Sequence, residues 1–259
     1  MSLPGLKDWK NTCEALHQAS QVIGAVRAAA VVPEPNWIHL GLHVLPQGLT
    51  TGMLPSVGEL VLDFTTLTIL YQPPENDPAG FALAQHSQQS LADAVEQGLA
   101  AFGQPVTLKR DKLAGKTVFD LDPRQAADYA NVLYRFSEMF KRFRASLPGT
   151  KTPAIVWPHG FDLSFLWFAT DRASEEAPHM AFGFSPGSAG LDRPYIYTYV
   201  YPLPENLTSY ELLPHTRWHT QGWTGTVTAY DDLISQQNPE TVIEEILHTL
   251  HRTLAPALR

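Results

Sequence analysis

The sequence has little cysteine, little charge and no long apolar run. Its 259 residues include one cysteine, Cys13, which excludes an internal disulfide and a cysteine-based zinc site. Charged residues make up 17% of the chain, below the roughly 25% that is typical of globular proteins. No stretch of about 18 apolar residues is present, and the first residues lack the pattern of a secretory signal. We therefore expect a soluble, cytoplasmic protein that does not span a membrane.

Positive charge is scarce as well. Lys and Arg total 18 against 26 Asp and Glu, which gives a formal net charge of −8 at pH 7. Nucleic acids and anionic membranes need a basic surface on their protein partner, so neither kind of partner is expected. The Walker A, dinucleotide-binding and H-E-x-x-H motifs are also absent, and no cofactor is assigned. The partners that remain to be considered are a small molecule and a second copy of the chain.

Apolar periodicity predicts about four helices and two groups of strands. Helical repeats bounded by Pro, Gly or capping residues predict helices over residues 8–30, 87–102 and 238–254, and from Asp122 onward. Alternation predicts strands over 37–45, 59–71, 154–157, 162–169, 179–184 and 194–201, with a hairpin within 217–229. Because the strands are grouped between helices, we predict a single α+β domain, residues 1–259, with a mostly antiparallel twisted sheet.

Two short segments suggest an internal pseudo-repeat. Val26-Arg27-Ala28 and Phe143-Arg144-Ala145 each end a predicted helix. In both cases a proline-bearing loop follows, and a pair of strands begins after it. The shared residues are few, so the pattern suggests a duplication without establishing one.

Trp37, His39 and His43 are the first candidate ligand-binding residues. Alternation along the predicted strand places them on one face with Gly41, about 13 Å between the two imidazoles. That separation is too long for both rings to bind one metal ion directly. The three side chains then line a ligand pocket or, in the alternative interpretation, a solvated sheet face.

The segment from Trp157 to Asp162 is the second candidate. His159 and Asp162, three residues apart in a turn with Gly160, could form an imidazole–carboxylate pair, and His179 could join them. The alternative is a turn capped by Asp162 with His159 exposed to solvent.

A row of tyrosines is the third candidate. Tyr195, Tyr197, Tyr199 and Tyr201 alternate along one predicted strand, so their rings share one face. Tyrosine combines stacking area with a hydroxyl, which suits a ligand pocket or an interface. The alternative is a strand that packs beneath a helix.

Arg27 is the fourth candidate, because helical geometry places it on the apolar face of the first helix. A cation there needs a partner, and we hypothesise that it binds the carboxylate of Asp63, of Asp162 or of a ligand. The nearby loop 48–52, with Thr50 and Thr51, could hold an anion through backbone N–H groups, or simply connect two strands.

Several blocks of the chain together resemble an uncharacterised bacterial family, domain of unknown function 5996. They are HQASQVIG at 17–24, WIH at 37–39, PQGLTTG at 46–52, GFDL at 160–163 and YVYP at 199–202. The resemblance covers nearly the whole chain, and GLTTG and FDL are its most specific parts. It implies one compact bacterial domain and brings no activity or catalytic residue with it.

Three functions fit these patterns, and whether the chain is an enzyme stays open. We favour a small-molecule-binding protein with a cleft lined by His, Arg and aromatic residues. One alternative is a metal- or His-assisted hydrolase that uses His39, His159 and Asp162. The other is a homodimer that associates through its Tyr and Trp surface.

Overall fold

The computed structural model describes residues 2–258 and divides into two compact units. The amino-terminal unit comprises Leu6–Tyr134 and Val156–Phe161, and the carboxy-terminal unit comprises Met1–Gly5, Arg135–Ile155 and Asp162–Arg259. Helices and two antiparallel sheets confirm the predicted α+β class. The single-domain expectation stays a prediction. No helix within residues 2–258 is long and apolar enough to cross a membrane.

The amino-terminal unit combines helices with a five-stranded antiparallel meander. Its elements are α1 (Lys10–Ala30), β1 (His43–Leu45), β2 (Gly48–Thr50), β3 (Glu59–Asp63), β4 (Thr68–Gln72), β5 (Ala79–Ala82), α2 (Gln88–Ala101) and the first part of α3 (Pro123–Ser146). The strand order in the sheet is β1-β2-β3-β4-β5. Helix α1 packs its apolar stripe on β3, and the sheet buries Leu60, Leu62, Ile69 and Tyr71. Ser87 caps α2 by accepting from the Ser90 backbone N–H.

The carboxy-terminal unit combines helices with a six-stranded antiparallel sheet. Its elements are β6 (Ile155–Trp157), of which only Ile155 belongs to this unit, β7 (Asp162–Phe168), β8 (His179–Ser185), β9 (Tyr195–Tyr201), β10 (Thr216–His219), β11 (Gly225–Ala229), α4 (Tyr230–Ile234) and α5 (Pro239–Leu254). The strand order in the sheet is β10-β11-β9-β8-β7-β6. One face packs on α3 through phenylalanines, with the Phe136 and Phe184 rings stacked at 3.9 Å and the Phe143 and Phe182 rings edge-on at 5.0 Å.

The prediction of a strand over residues 37–45 is wrong. A 3₁₀ segment, Pro35–Leu40, occupies the first part of this range, and strand β1 starts only at His43. Asn36 and Trp37 have φ values of 55° and 56°, which an extended strand does not allow. Trp37, His39 and His43 therefore do not follow one another along a strand face.

The predicted strand over 59–71 is two strands with a turn between them. Asp63 Oδ1 accepts from the Thr65 and Thr66 backbone N–H groups at 2.8 and 3.0 Å, which turns the chain back. Strands β2 and β5 and helix α4 are not among the elements predicted from the sequence. The other predicted helices and strands are present with shifts of one or two residues at their ends.

Candidate functional site

Arg27 lies in the last turn of α1 and reaches the loop after β2. Its Nη1 donates to the Thr51 carbonyl oxygen, while its Nε is buried without a hydrogen-bond partner in residues 2–258. Burial lowers the pKa of Arg27, and the negative charge of Glu34 partly opposes this shift of the pKa. The chain thus holds a half-buried guanidinium against a backbone carbonyl rather than a carboxylate.

Asp63, one of the three carboxylates hypothesised as the partner of Arg27, has other partners in the structure. Asp63 Oδ1 accepts from the Thr65 hydroxyl at 2.7 Å in addition to the two backbone N–H groups of the turn. Asp63 forms no ion pair among the described residues of the chain. This carboxylate therefore has a structural role in the turn between β3 and β4.

The GLTTG segment holds itself in place with its two threonines. The Thr50 hydroxyl accepts from Gly52 N at 2.8 Å, and the Thr51 hydroxyl accepts from Leu60 N at 3.0 Å. Thr51 N donates to Leu60 O at 3.0 Å. Because the Thr51 and Gly52 N–H groups already have acceptors, these two groups are not available to hold an anion. The loop instead fixes the Thr51 carbonyl that Arg27 binds.

The structure brings together Trp37 and His39, whose ring centroids are 6.0 Å apart. His39 is buried, and its Nδ1 accepts from Glu34 N at 3.0 Å. Trp37 is 58% exposed. His43 is exposed and lies beside Gly52, where an added Cβ would be 3.6 Å from the His43 Cδ2 atom.

Trp157 and His159 also lie close together, with ring centroids 6.0 Å apart. The Trp157 carbonyl accepts from Gly160 N and Phe161 N at 3.1 and 2.7 Å, so this segment is a tight turn. His159 is exposed at its tip. The Asp162 carboxylate, in the carboxy-terminal unit, accepts from the Tyr197 hydroxyl.

Phe182 and Phe184, which contact the α3 phenylalanines, pair with Thr198 and Ile196 of β9. The four tyrosines, which alternate with these residues, lie on the opposite face of the sheet, and we call this surface the tyrosine face. Tyr197 pairs with Gly183 of β8, where an added Cβ would fall 2.1 Å from the Tyr197 Cζ atom. The missing side chain at Gly183 lets the Tyr197 ring lie across β8. Its hydroxyl thereby reaches β7, where it donates to Asp162 and is hydrogen-bonded to Ser164.

The rings of the tyrosine face are packed against one another. Tyr197 and Tyr199 have centroids 6.3 Å apart and planes only 1° from parallel, and Trp223 meets Tyr197 edge-on at 6.0 Å. Burial raises the pKa of Tyr197 well above its usual value, and Asp162 raises this pKa further. Burial and Asp162 likewise raise the pKa of Tyr199. Both phenols are therefore neutral donors at physiological pH.

His179 lies at the other end of the tyrosine face. Its Nδ1 is bonded to the Ala177 carbonyl at 2.9 Å, and its ring stacks on Tyr201 at 5.3 Å. Burial lowers the pKa of His179. Across residues 2–258, no three side chains of His, Cys, Asp or Glu are grouped so that they could hold a metal ion. The hydrolase alternative therefore gains no support from the metal-ligand geometry.

Sequence reasoning missed Ser164, Gly183 and Trp223. Ser164 is two residues beyond Asp162 on a strand, so a polar residue at that spacing could have been assigned to the same face. A glycine inside an apolar strand, such as Gly183, is a sign of close approach by another group. No local pattern points to Trp223, because it lies in the turn between β10 and β11.

The comparisons with known proteins give one result. Neither curated proteins nor solved structures yield a match to this chain. A model of the family of unknown function DUF5996 matches residues 2–258, essentially the whole chain, and the chain therefore belongs to that family.

Proposed function

We propose that this chain is a small-molecule-binding protein whose ligand lies on the tyrosine face. The observation that carries the proposal is the hydrogen-bonded series Ser164–Tyr197–Asp162, which joins β7 and β9 across Gly183. Binding sites combine a large apolar or aromatic surface with a few polar groups that orient the ligand. The tyrosine rings supply the aromatic surface, and the Tyr197 hydroxyl and the Asp162 carboxylate supply the polar groups.

The rings are held in position before any ligand arrives. The Tyr195 hydroxyl is bonded to the Ser188 hydroxyl at 2.8 Å, and the Tyr197 hydroxyl is bonded to Asp162. A tyrosine has few rotatable bonds, and these anchors restrict them further. A ligand that stacks on fixed rings loses less binding free energy to the ordering of side chains.

The chemistry of this face favours a ligand with an aromatic ring and a positive charge. Asp162 is an acidic group beside Tyr197 and Tyr199, and the faces of tyrosine rings attract cations. Tyramine carries both features, and 4-ethylphenol and 4-hydroxyphenylacetate share its ring without its positive charge. Comparison of these three probes separates stacking from charge recognition.

The test is isothermal titration calorimetry of the full chain with each probe. We expect saturable binding of tyramine, at least about tenfold weaker binding after Tyr197→Phe, and unchanged binding after Tyr210→Phe, an exposed tyrosine outside β9. Absence of saturable binding for all three probes would contradict the proposal. Equal weakening by the two substitutions would contradict it as well.

A cytoplasmic location, a bacterial source and the absence of a nucleic-acid partner belong to the same proposal. They rest on the composition, with its net charge of −8, and on the family resemblance. The homodimer alternative stays a prediction, which light scattering of the purified chain would test.

A further inference from the structure

We propose that Arg27 binds the carboxylate of a monoanionic small molecule through the edge formed by its Nε and Nη2 groups. This site lies in the amino-terminal unit and goes beyond the function proposed for the tyrosine face. It rests on observations of Arg27 and its neighbours, and it can be tested independently.

The hydrogen bonds of Arg27 leave one edge of the guanidinium without an acceptor. Within residues 2–258 its only side-chain hydrogen bond runs from Nη1 to the Thr51 carbonyl, and the buried Nε has no partner. Nε–H and one Nη2–H point in the same direction and match the two oxygens of a carboxylate. With Nη1 held by the Thr51 carbonyl, the two donors of the Nε–Nη2 edge are left without an acceptor among these residues.

The charge of Arg27 is not neutralised by an ion pair in the described part of the chain. A partly buried cation in this position is unfavourable unless an anion pairs with it. Burial lowers the pKa of Arg27, which reports the same loss of hydration. A bound carboxylate would restore the missing interaction.

Glu34 selects for the charge of the ligand. Its carboxylate acts electrostatically on Arg27 from beyond ion-pair distance. Arg27 balances only one negative charge, so the second charge of a dianion stays uncompensated beside Glu34, and its loss of hydration on partial burial costs more than that of a monoanion. A carboxylate is therefore expected to bind more tightly than inorganic phosphate, which is largely dianionic above neutral pH.

The position of Arg27 is fixed by the GLTTG loop. The Thr50 and Thr51 hydroxyls accept from Gly52 N and Leu60 N, and this holds the Thr51 carbonyl in place. The carbonyl in turn holds Nη1. The binding edge is thereby pre-organised, which reduces the entropy lost when a ligand binds.

Arg144 provides a matched contrast inside the same chain. It also lies in the last turn of a long helix, but its Nε and Nη2 donate to the carbonyls of Thr152 and Lys151. The edge that could bind a carboxylate is occupied by backbone. Arg144 is therefore a structural residue and a natural control.

The experiment follows the Nε–H resonance of Arg27 in ¹⁵N-labelled protein, assigned by its loss in Arg27→Lys. Sodium benzoate, sodium acetate and sodium phosphate are titrated at constant ionic strength. We expect saturable shifts with both carboxylates and binding of phosphate at least about tenfold weaker. By calorimetry, we expect Arg27→Lys to weaken benzoate binding at least about tenfold, because an ammonium lacks the two parallel N–H donors of a guanidinium. Arg144→Lys should change benzoate binding less than about twofold.

Three results would overturn the inference. They are an Arg27 Nε resonance that no carboxylate shifts, phosphate binding as tight as carboxylate binding, and an unchanged benzoate affinity in Arg27→Lys. The resonance is read in the unsubstituted protein, assigned there by three-dimensional NMR if Arg27→Lys does not fold. Tyramine binding to the tyrosine face is measured separately, so failure of one site does not imply failure of the other.

Discussion

Arg27 and Arg144 occupy corresponding places in the two units, yet their guanidinium groups have different partners. Each lies near the end of a long helix, is followed by alanine, and precedes a loop with proline. Arg144 donates from Nε and Nη2 to carbonyls of the loop that follows its own helix, whereas Arg27 donates from Nη1 to Thr51, 24 residues away. Similar local sequences therefore give one arginine that closes a helix end and one that retains a binding edge.

The two sheets also share an order of elements and differ in the side chains on one face. Each unit has the order of a long helix, an antiparallel sheet and a further helix. The face of the first sheet that lies away from α1 carries Val61, Leu70 and Glu59, whereas the corresponding face of the second carries the tyrosines. The order of elements is shared, and the chemistry of this face distinguishes the carboxy-terminal unit.

The largest difference in the free energy of unfolding is expected between alanine substitutions of two strand glycines, one from each sheet. Gly183→Ala places a Cβ 2.1 Å from Tyr197 Cζ, which must displace the ring and break its bond to Asp162. The Cβ of Gly80→Ala meets Thr68 Cγ2 at 3.4 Å and Leu70 Cδ2 at 4.0 Å, both ordinary contacts with side chains. We expect Gly183→Ala to lower the free energy of unfolding by about 3 kcal/mol and Gly80→Ala to change it by less than about 1 kcal/mol.

Urea unfolding of both variants measures this difference. If Gly183→Ala proved as stable as Gly80→Ala, the Tyr197 ring would not depend on Gly183. The assignment of the tyrosine face as a rigid binding surface would then be wrong.

The second comparison replaces each arginine by methionine. Arg144→Met leaves two carbonyl oxygens, of Thr152 and Lys151, without their donors, and should lower the free energy of unfolding by about 2 kcal/mol. Arg27→Met removes one bond to Thr51 but also a partly buried charge, so we expect a change below about 1 kcal/mol. Equal losses in urea unfolding would show that Arg27 is as structural as Arg144.

The third comparison removes one hydroxyl from each sheet. Tyr197→Phe removes a bond to the Asp162 carboxylate, and Tyr71→Phe removes a 2.7 Å bond to the Val57 carbonyl. Hydrogen bonds to charged groups contribute more than those to neutral ones. We expect losses in the free energy of unfolding of about 1.5 kcal/mol for Tyr197→Phe and about 1 kcal/mol for Tyr71→Phe. Reversal of this order would show that Tyr197 has little interaction with Asp162.

The sequence predicts regular elements better than the environments of single side chains. Apolar repeats and caps locate α1, α2, α3 and α5, because one buried face gives a helix a clear period. The 37–45 region failed because Asn36 and Trp37 adopt left-handed backbone angles that alternation does not reveal.

Among the candidate site residues, too, the sequence predicts which face a side chain lies on but not which group it contacts. The tyrosine row could be predicted, since a period of two places alternate residues on one face. The partner of Tyr197 could not, because Asp162 lies two strands away and is reached only across Gly183. The partners of Arg27 and Arg144 likewise depend on which carbonyl the folded loops present.

The smallest expected effect is the pH dependence that Tyr71 and Tyr197 give to the free energy of unfolding. Burial raises the pKa of Tyr71, and burial together with Asp162 raises the pKa of Tyr197 well above its usual value. A raised pKa means that the folded state holds the phenolic proton more tightly than the unfolded state. The stabilisation is therefore complete below about pH 10 and is lost as the pH rises through the folded-state pKa.

We expect the free energy of unfolding to fall between about pH 9 and about pH 11, and to fall less steeply in Tyr197→Phe. Tyr71→Phe should reduce the slope by a smaller amount, because only burial acts on that phenol. Urea unfolding across this range, with the Tyr210→Phe variant as the exposed control, measures the three slopes. If Tyr197→Phe left the slope unchanged, Asp162 and burial would not act on Tyr197, and the polar centre of the tyrosine face would have to be assigned elsewhere.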